Sequence, residues 1–279
     1  MVELLDRHGL SPSRALGQNF LCDPGTVDRI VRLAGVGPGT RVVEIGPGLG
    51  SLTVGLVEAG ARVVAVEVDR YLLPALAETV EDLDVKIVHA DARHVDWGDH
   101  LEPGSWTVVA NLPYNIATPL VLDLLAAEPR FVRWLVMVQR EAGERLVAGP
   151  GSRTYGIPSV LAAYWARSRI AGRVPAQLFL PRPNVESVLV ELVRHDGPPV
   201  DAPFDELAPV VRAGFGQRRK MVRRSLAAFL DADAIARAGV DPTARAEDLD
   251  LLAWSALTLA AHPDPGPDPG PDPRRCPLG

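Results

Sequence analysis

The sequence predicts a parallel, doubly wound α/β sheet followed by a small all-helical domain, and three observations carry that expectation. Short β-branched runs recur about every twenty residues through the first half of the chain. Amphipathic, helix-spaced segments separate several of them, and parallel neighbours in a sheet need such crossovers. After residue 200 the β-branched runs cease and only helical periodicity remains.

Taken in order, residues 1–24 read as a polar, loosely held lead-in that includes Gly17-Gln18-Asn19-Phe20-Leu21. Asp23-Pro24 has the form of an N-cap followed by proline at the first helical position, with Val27, Ile30, Val31 and Ala34 at helical spacing and Gly35 to Gly39 ending the helix. Strands are expected at Val42–Ile45, Val63–Val66, Val85–Val88, Thr107–Ala110 and Leu135–Val138. The intervening helices are expected around Leu52–Ala59, Tyr71–Val80, Pro119–Ala127 and Glu141–Val147. Ile170–Val174 and Ser187–Val193, joined by a loop with Pro181, Pro183 and Asn184, suit an antiparallel pair closing one sheet edge. This first domain spans 1–196, and His195-Asp196-Gly197-Pro198-Pro199 reads as a linker. The helical domain spans 200–262, with Val210, Val211, Phe215, Val222, Leu226, Phe229 and Leu230 as its expected core. The Pro/Asp/Gly repeat of 263–279 cannot bury a core and is expected to be a disordered tail.

Hydrophobic content of 47% and charged content of 23% are those of an ordinary globular protein. No apolar run is long enough to span a bilayer, and Glu3 and Asp6 do not fit a signal peptide, so a cytoplasmic protein is expected. Cys22 and Cys276 match no metal or disulfide spacing and the six histidines are scattered, which argues against metal chemistry. A net charge of −6 argues against a uniformly basic nucleic-acid binder, although an average hides distribution. Lys86 and Lys220 are the only lysines; a GC-rich coding genome produces that arginine bias as readily as selection for phosphate contact does.

The stretch Val42-Val43-Glu44-Ile45-Gly46-Pro47-Gly48-Leu49-Gly50 is a strand turning through glycines into a helix, the form of a cofactor cradle at the carboxyl edge of a parallel sheet. Its GxGxG spacing differs from the GxGxxG of dinucleotide binders. Glu67 ends the next strand, where an acid can accept from ribose hydroxyls, and Asp91 follows the third strand, where an acid can meet an adenine edge. Three carboxylates, with Glu44, would repel a pyrophosphate but suit a positive centre, which favours S-adenosylmethionine over a nicotinamide cofactor.

Asn111-Leu112-Pro113-Tyr114 follows the fourth strand and so falls on the same edge. The exocyclic amine of adenine is a poor nucleophile because its lone pair is delocalised into the ring. The Asn111 side-chain oxygen and the Leu112 carbonyl can accept its hydrogens, localising the lone pair and aiming it at a methyl donor. Tyr114 offers a flat face to the base, and Phe179 is a second stacking candidate whose ordinary alternative is a core position. Alone, such a turn is an ordinary β-turn; beside the glycine cradle it indicates an amine methyltransferase. A third stretch, with Arg212, Arg218, Arg219, Lys220, Arg223 and Arg224, has no acid between Glu206 and Asp231. Read as a helix, it pairs Arg219 with Arg223 and Lys220 with Arg224 on shared faces, and six cations without an acid point to RNA phosphates.

Leu16-Gly17-Gln18-Asn19-Phe20-Leu21, Glu44 to Gly50, Asn111-Leu112-Pro113-Tyr114-Asn115 and Phe215-Gly216-Gln217-Arg218-Arg219-Lys220 together resemble the small-subunit ribosomal RNA adenine dimethyltransferases of the KsgA type. The resemblance runs in order from about residue 11 to about residue 260. It implies a Rossmann-like, S-adenosylmethionine-dependent methyltransferase domain with a small helical domain. It further implies transfer of two methyl groups to N6 of each of two adjacent adenines near the 3′ end of 16S rRNA during small-subunit assembly. Carried onto matching positions, the donor site falls on Asn19, Leu21, Gly46, Glu67, Asp91 and Asn111, with 11–24 closing over the donor. Pro158 and the Pro/Asp tail depart from the pattern. The partner implied is 16S rRNA within a 30S precursor; a monomer is expected because the sequence shows no obvious association surface. Three alternatives stay open: a 23S rRNA methyltransferase of the erythromycin-resistance type, a DNA adenine methyltransferase, and a mainly non-catalytic 30S assembly factor.

Overall fold

The structure is a computed structural model, and it describes residues 2–13, 17–217 and 219–262. Arg14, Leu16, Arg218 and the expected tail at 263–279 lie outside the described residues. The chain divides into two units at Pro199 and Val200.

The first unit begins with α1 (Val2–Arg7), β1 (Phe20–Leu21) and α2 (Pro24–Ala34). Asp23 caps α2 as its position before proline predicts: its Oδ2 accepts from the Thr26 backbone N–H at 2.7 Å and from Thr26 Oγ1 at 2.6 Å. Gly35 ends the helix at φ 69°. There follow β2 (Arg41–Ile45), α3 (Ser51–Glu58), β3 (Arg62–Glu67), α4 (Leu73–Thr79), β4 (Val85–His89), β5 (Trp106–Asn111), α5 (Ala117–Ala127) and β6 (Phe131–Gln139). The unit closes with α6 (Arg140–Val147), α7 (Ile157–Trp165), β7 (Ala166–Val174), β8 (Phe179–Leu180) and β9 (Ser187–Arg194).

The main sheet has the order β4-β3-β2-β5-β6-β9-β7. The first five strands pair in parallel, and β9 and β7 pair antiparallel at the far side, as the short connection between them requires. Alternate residues serve opposite faces. Val43, Ile45 and Val136 pack with Leu120, Leu124, Leu146 and Ala162 of α5, α6 and α7. Val42, Val63 and Leu135 pack with Val27, Ile30, Leu52 and Leu56 of α2 and α3.

Two expectations for this unit are corrected. Where it is described, the lead-in is not loose: β1 pairs antiparallel with β8, and Phe20 packs with Leu5, Leu49, Leu72 and Ala75. A two-residue strand is too short to show a period, and its partner lies far along the chain. Helix α7 was not expected either; Pro158 stands in its first turn, where a missing N–H costs nothing.

The second unit is helical: α8 (Phe204–Gly216), α9 (Val222–Ser225), α10 (Ala232–Arg237) and α11 (Leu251–Ala261). Trp254 is its fully buried centre, with Phe215 at 5.7 Å between ring centroids and Gly214 against its edge. Val210, Val211, Val222, Leu226 and Leu230 are buried as expected, whereas Phe215 and Phe229 are only half-buried.

Glycine to alanine inside a helix ordinarily stabilises by about 1 kcal/mol. In α6 the sign should reverse, because a Cβ on Gly143 would meet Val188 Cγ2 at 2.3 Å and Val190 Cγ2 at 3.0 Å. Gly143→Ala should lower stability by about 1–3 kcal/mol in urea unfolding; a stabilised variant would show that α6 is free to move off the sheet.

Candidate active site

Parallel strands β2 to β5 end on one edge, and there the chain encloses a cavity of about 240 Å³. Its walls are the β1 segment from Gly17 to Leu21, the turn from Glu44 to Leu49, Glu67 to Asp69, Asp91, and Asn111 to Ile116. The structure therefore brings together Asn19, Leu21, Gly46, Glu67, Asp91, Asn111, Leu112 and Tyr114.

The glycine turn needs glycine for two reasons. Gly46, Gly48 and Gly50 have φ of 68°, 60° and 86°, which side chains rarely adopt. In addition, a Cβ on Gly48 would lie 3.0 Å from the Phe20 ring, whereas one on Gly46 would meet only Pro113 at 4.0 Å. Close approach at Gly48 thus comes from the chain's own β1 segment, and the open floor is at Gly46.

The carboxylates live in three different environments. Glu67 is buried and accepts from the Gly48 N–H at 3.1 Å and the Asp69 N–H at 2.8 Å; burial pushes its pKa up while those bonds oppose the shift. Asp91 is gripped by Arg93 through Nη2 at 2.6 Å and Nε at 3.2 Å, and that bonding holds it down to about 2. Glu44 is 1% exposed and accepts from Thr53 Oγ1 at 2.6 Å; burial, reinforced by the Glu67 charge, pushes it up to about 8. The expectation of three negative charges is therefore corrected, because Glu44 is mostly protonated at neutral pH.

The β1 segment is tied to the sheet edge by side-chain amides. Asn111 Nδ2 donates to the Asn19 carbonyl at 2.8 Å. A carbonyl only accepts, so this bond fixes the amide orientation and leaves Asn111 Oδ1 as an acceptor. Gln18 Nε2 donates to Asp69 Oδ2 at 2.7 Å, and its Oε1 accepts from the Ser13 N–H at 2.7 Å. The Leu112 N–H donates to the Met137 carbonyl at 3.1 Å, which fixes the peptide before the turn. Tyr114 Oη and Ser187 Oγ are 2.6 Å apart, and burial raises the phenol pKa. Gln18 stood in a recognised motif without a role of its own, and Ser187 had no sequence signal because its contact spans strands distant in the chain.

Phe179 is corrected. It is 4% exposed and packs with Leu21, Val27 and Ile30, outside the cavity walls. In the second unit Arg219, Lys220, Arg223 and Arg224 are all exposed. They do not share helix faces as expected: α9 begins only at Val222, Arg219 and Lys220 lie in the preceding turn, and Met221 bridges to Arg245. Among the described residues no cluster of three or more His, Cys, Asp or Glu suits a metal ion, and no helix is long and apolar enough to cross a membrane.

The raised pKa of Glu44 makes stability pH-dependent. Folding holds its proton to about pH 8, above the ordinary value of 4.5, so its contribution is complete below pH 4.5 and is lost as pH rises through 8. Unfolding free energy should fall between these limits with a slope of at most about 1.4 kcal/mol per pH unit, and Glu44→Gln should flatten that part of the curve. Identical pH profiles for the two proteins would place the Glu44 pKa near its ordinary value.

The ribosomal RNA adenine dimethylase family model matches residues 10–259. The ribosomal RNA small subunit methyltransferase A of Kineococcus radiotolerans is 45% identical over 274 residues, covering 95% of this chain and 90% of that protein. Its counterpart from Leifsonia xyli is 48% identical, covering 89% and 92%. Among solved structures, a dimethyladenosine transferase from Plasmodium falciparum superposes with a TM-score of 0.73 at 23% identity, covering 85% of this chain and 95% of that one. The 23S rRNA methyltransferase ErmE gives 0.68 at 24% identity, covering 88% and 100%, so both show the same Rossmann-like α/β fold. With a family model spanning nearly its whole length and close relatives matched almost end to end, this chain belongs to the ribosomal RNA adenine dimethylase family.

Proposed function

We propose that this protein dimethylates N6 of two adjacent adenines in a loop near the 3′ end of 16S rRNA, within a 30S precursor. The observation that carries the reading is the fixed Asn111 amide, which keeps Oδ1 as an acceptor on a residue that lines the same cavity as the Gly46 turn. The relatives named as small-subunit methyltransferases support the choice of RNA.

The cavity suits S-adenosylmethionine. Gly46 leaves open floor, Glu67 retains lone pairs beyond the two N–H bonds it accepts, and Leu21 and Leu49 supply apolar wall. Gly46, Glu67, Asp91, Asn19 and Leu21 would hold it, and when bound it supplies a methyl group on a cationic sulfur. Asn111 Oδ1 and the Leu112 carbonyl accept the hydrogens of the adenine amine, which keeps the lone pair out of the ring and directed into the cavity. Tyr114, held through Ser187, presents its ring to the base. Catalysis on this account is mainly positioning, with no strong base needed before the amine attacks. After the first transfer the methylated amine loses a proton to solvent and keeps one hydrogen on N6, which a single acceptor suffices to orient for the second.

In this reading the sheet unit carries out the chemistry and the helical unit, 200–262, binds rRNA through Arg219, Lys220, Arg223 and Arg224, with Arg218 in the same run. The protein works as a monomer, since one cavity and one RNA complete the reaction, and in the cytoplasm, where ribosomal particles are assembled.

With labelled donor, 30S particles lacking the modification should be methylated, and 50S particles and duplex DNA should not. Methylation of 50S particles instead would move the assignment to the 23S type. Asn111→Ala should lower the transfer rate by about 10²-fold or more while particle binding persists; full dimethylation by that variant would remove Asn111 from the mechanism. Reversing Arg219 and Arg223 to Glu should weaken RNA binding and reduce the slope of log affinity against log salt by about 1–2, leaving donor affinity unchanged. An unaltered slope would return those residues to ordinary surface.

A further inference from the structure

The edge strand β7 carries Arg167, Arg169 and Arg173 and no acid. Its register decides where they stand. Arg167 lies opposite Val193, which lies opposite Arg133 of β6; the next row is Arg169, Glu191 and Leu135. Residues directly opposite share a sheet face, and Leu135 packs in the cluster with α2, so Arg133, Arg167 and Arg169 all stand on the α2 face. Past a register shift comes Gly172, over which Arg29 of α2 lies so closely that a Cβ there would meet its Nη2 at 2.1 Å. Arg29 Nη1 donates to the Arg173 carbonyl at 2.9 Å. Four guanidinium groups, from α2, β6 and β7, thus share one patch.

Glu191 is the one acid in these rows. It is buried and bonds both Arg133, at 2.5 Å, and Arg169. Four cations and one anion leave a formal charge of +3, and Arg167 pairs with no carboxylate among the described residues. Arg169 and Arg133 keep 62% and 38% of their side-chain surface exposed, so both remain reachable. Charge on an edge strand also discourages strand pairing between molecules. That purpose does not call for a buried acid clamping two arginines, or for a further arginine from α2 laid onto a glycine. Clamped guanidiniums have already lost much of their rotamer freedom, and their planar forks match phosphate oxygens.

We propose that this arginine face is a second phosphate-binding surface on the sheet unit, holding the sugar–phosphate backbone of the RNA substrate away from the target loop. Position sets its reach. Ser187, which bonds Tyr114, and Val193, which faces Arg167, lie six residues apart on β9, about 20 Å along the strand. The surface therefore grips folded RNA well beyond the target adenines. The inference rests on rRNA being the substrate.

The test is salt-dependent binding to unmodified 30S particles and to naked 16S rRNA, with methylation of the particles followed in parallel. Arg167→Glu should weaken both binding reactions about tenfold and reduce the salt slope by about 1. Arg167→Lys should keep most of the affinity, and donor affinity and the rate at saturating particle should not change. An unaltered slope for a folded, non-aggregating Arg167→Glu overturns the proposal; where that variant aggregates, an unaltered slope for folded Arg167→Gln overturns it in its place. Weakened particle binding with unchanged binding to naked rRNA would assign the face to a protein of the particle, and also overturns it. Wild-type protein that neither binds nor methylates the particles would instead overturn the function on which the inference rests.

Discussion

Parallel pairing of neighbouring strands is the constraint from which the site follows. Strands β4, β3, β2 and β5 run in one direction, so their carboxyl ends open on a single edge. Each parallel pair needs a crossover, and the helices in those crossovers cover both faces of the sheet, leaving its edge open to bind a ligand. Gly46, Glu67, Asp91 and Asn111 lie far apart in sequence, yet each follows or ends one of these strands. The strand order is what gathers the glycine turn and the Asn-Leu-Pro-Tyr turn around one cavity.

The fifth contributor to that cavity belongs to a separate two-stranded sheet. The β1 segment is held by its pairing with β8, by the Asn111 amide on the Asn19 carbonyl, and by Gln18 on Asp69. Its Phe20 ring rests on Gly48, so the glycine turn and the β1 segment shape each other. Asn111 Nδ2 thereby fastens a wall of the cavity, and that same bond leaves Oδ1 as an acceptor.

Environment, and not residue type, sets the electrostatics. Glu44, Glu67 and Asp91 all line the cavity, but burial keeps Glu44 protonated to about pH 8 while Arg93 holds Asp91 down to about 2. Between these extremes Glu67 accepts two backbone N–H bonds that oppose the cost of its burial. A count of acids along the chain overstates the negative charge that a ligand meets.

The sequence by itself determined the parallel strands, the α2 cap, the GxGxG turn and the Asn-Leu-Pro-Tyr turn. Each of these is a local pattern: a β-branched run, a proline after an acid, glycines where φ must be positive. Tertiary structure alone decided the rest. Packing against Val27 and Ile30 turned a candidate stacking ring, Phe179, into core, and a late start to α9 took Arg219 and Lys220 off a helix face that spacing alone assigns. It also gave Ser187 its contact with Tyr114 and brought Arg29, Arg133, Arg167 and Arg169 onto one face. These outcomes depend on register between strands distant in the chain and on desolvation at a site enclosed by several elements, and no local pattern of residues encodes either.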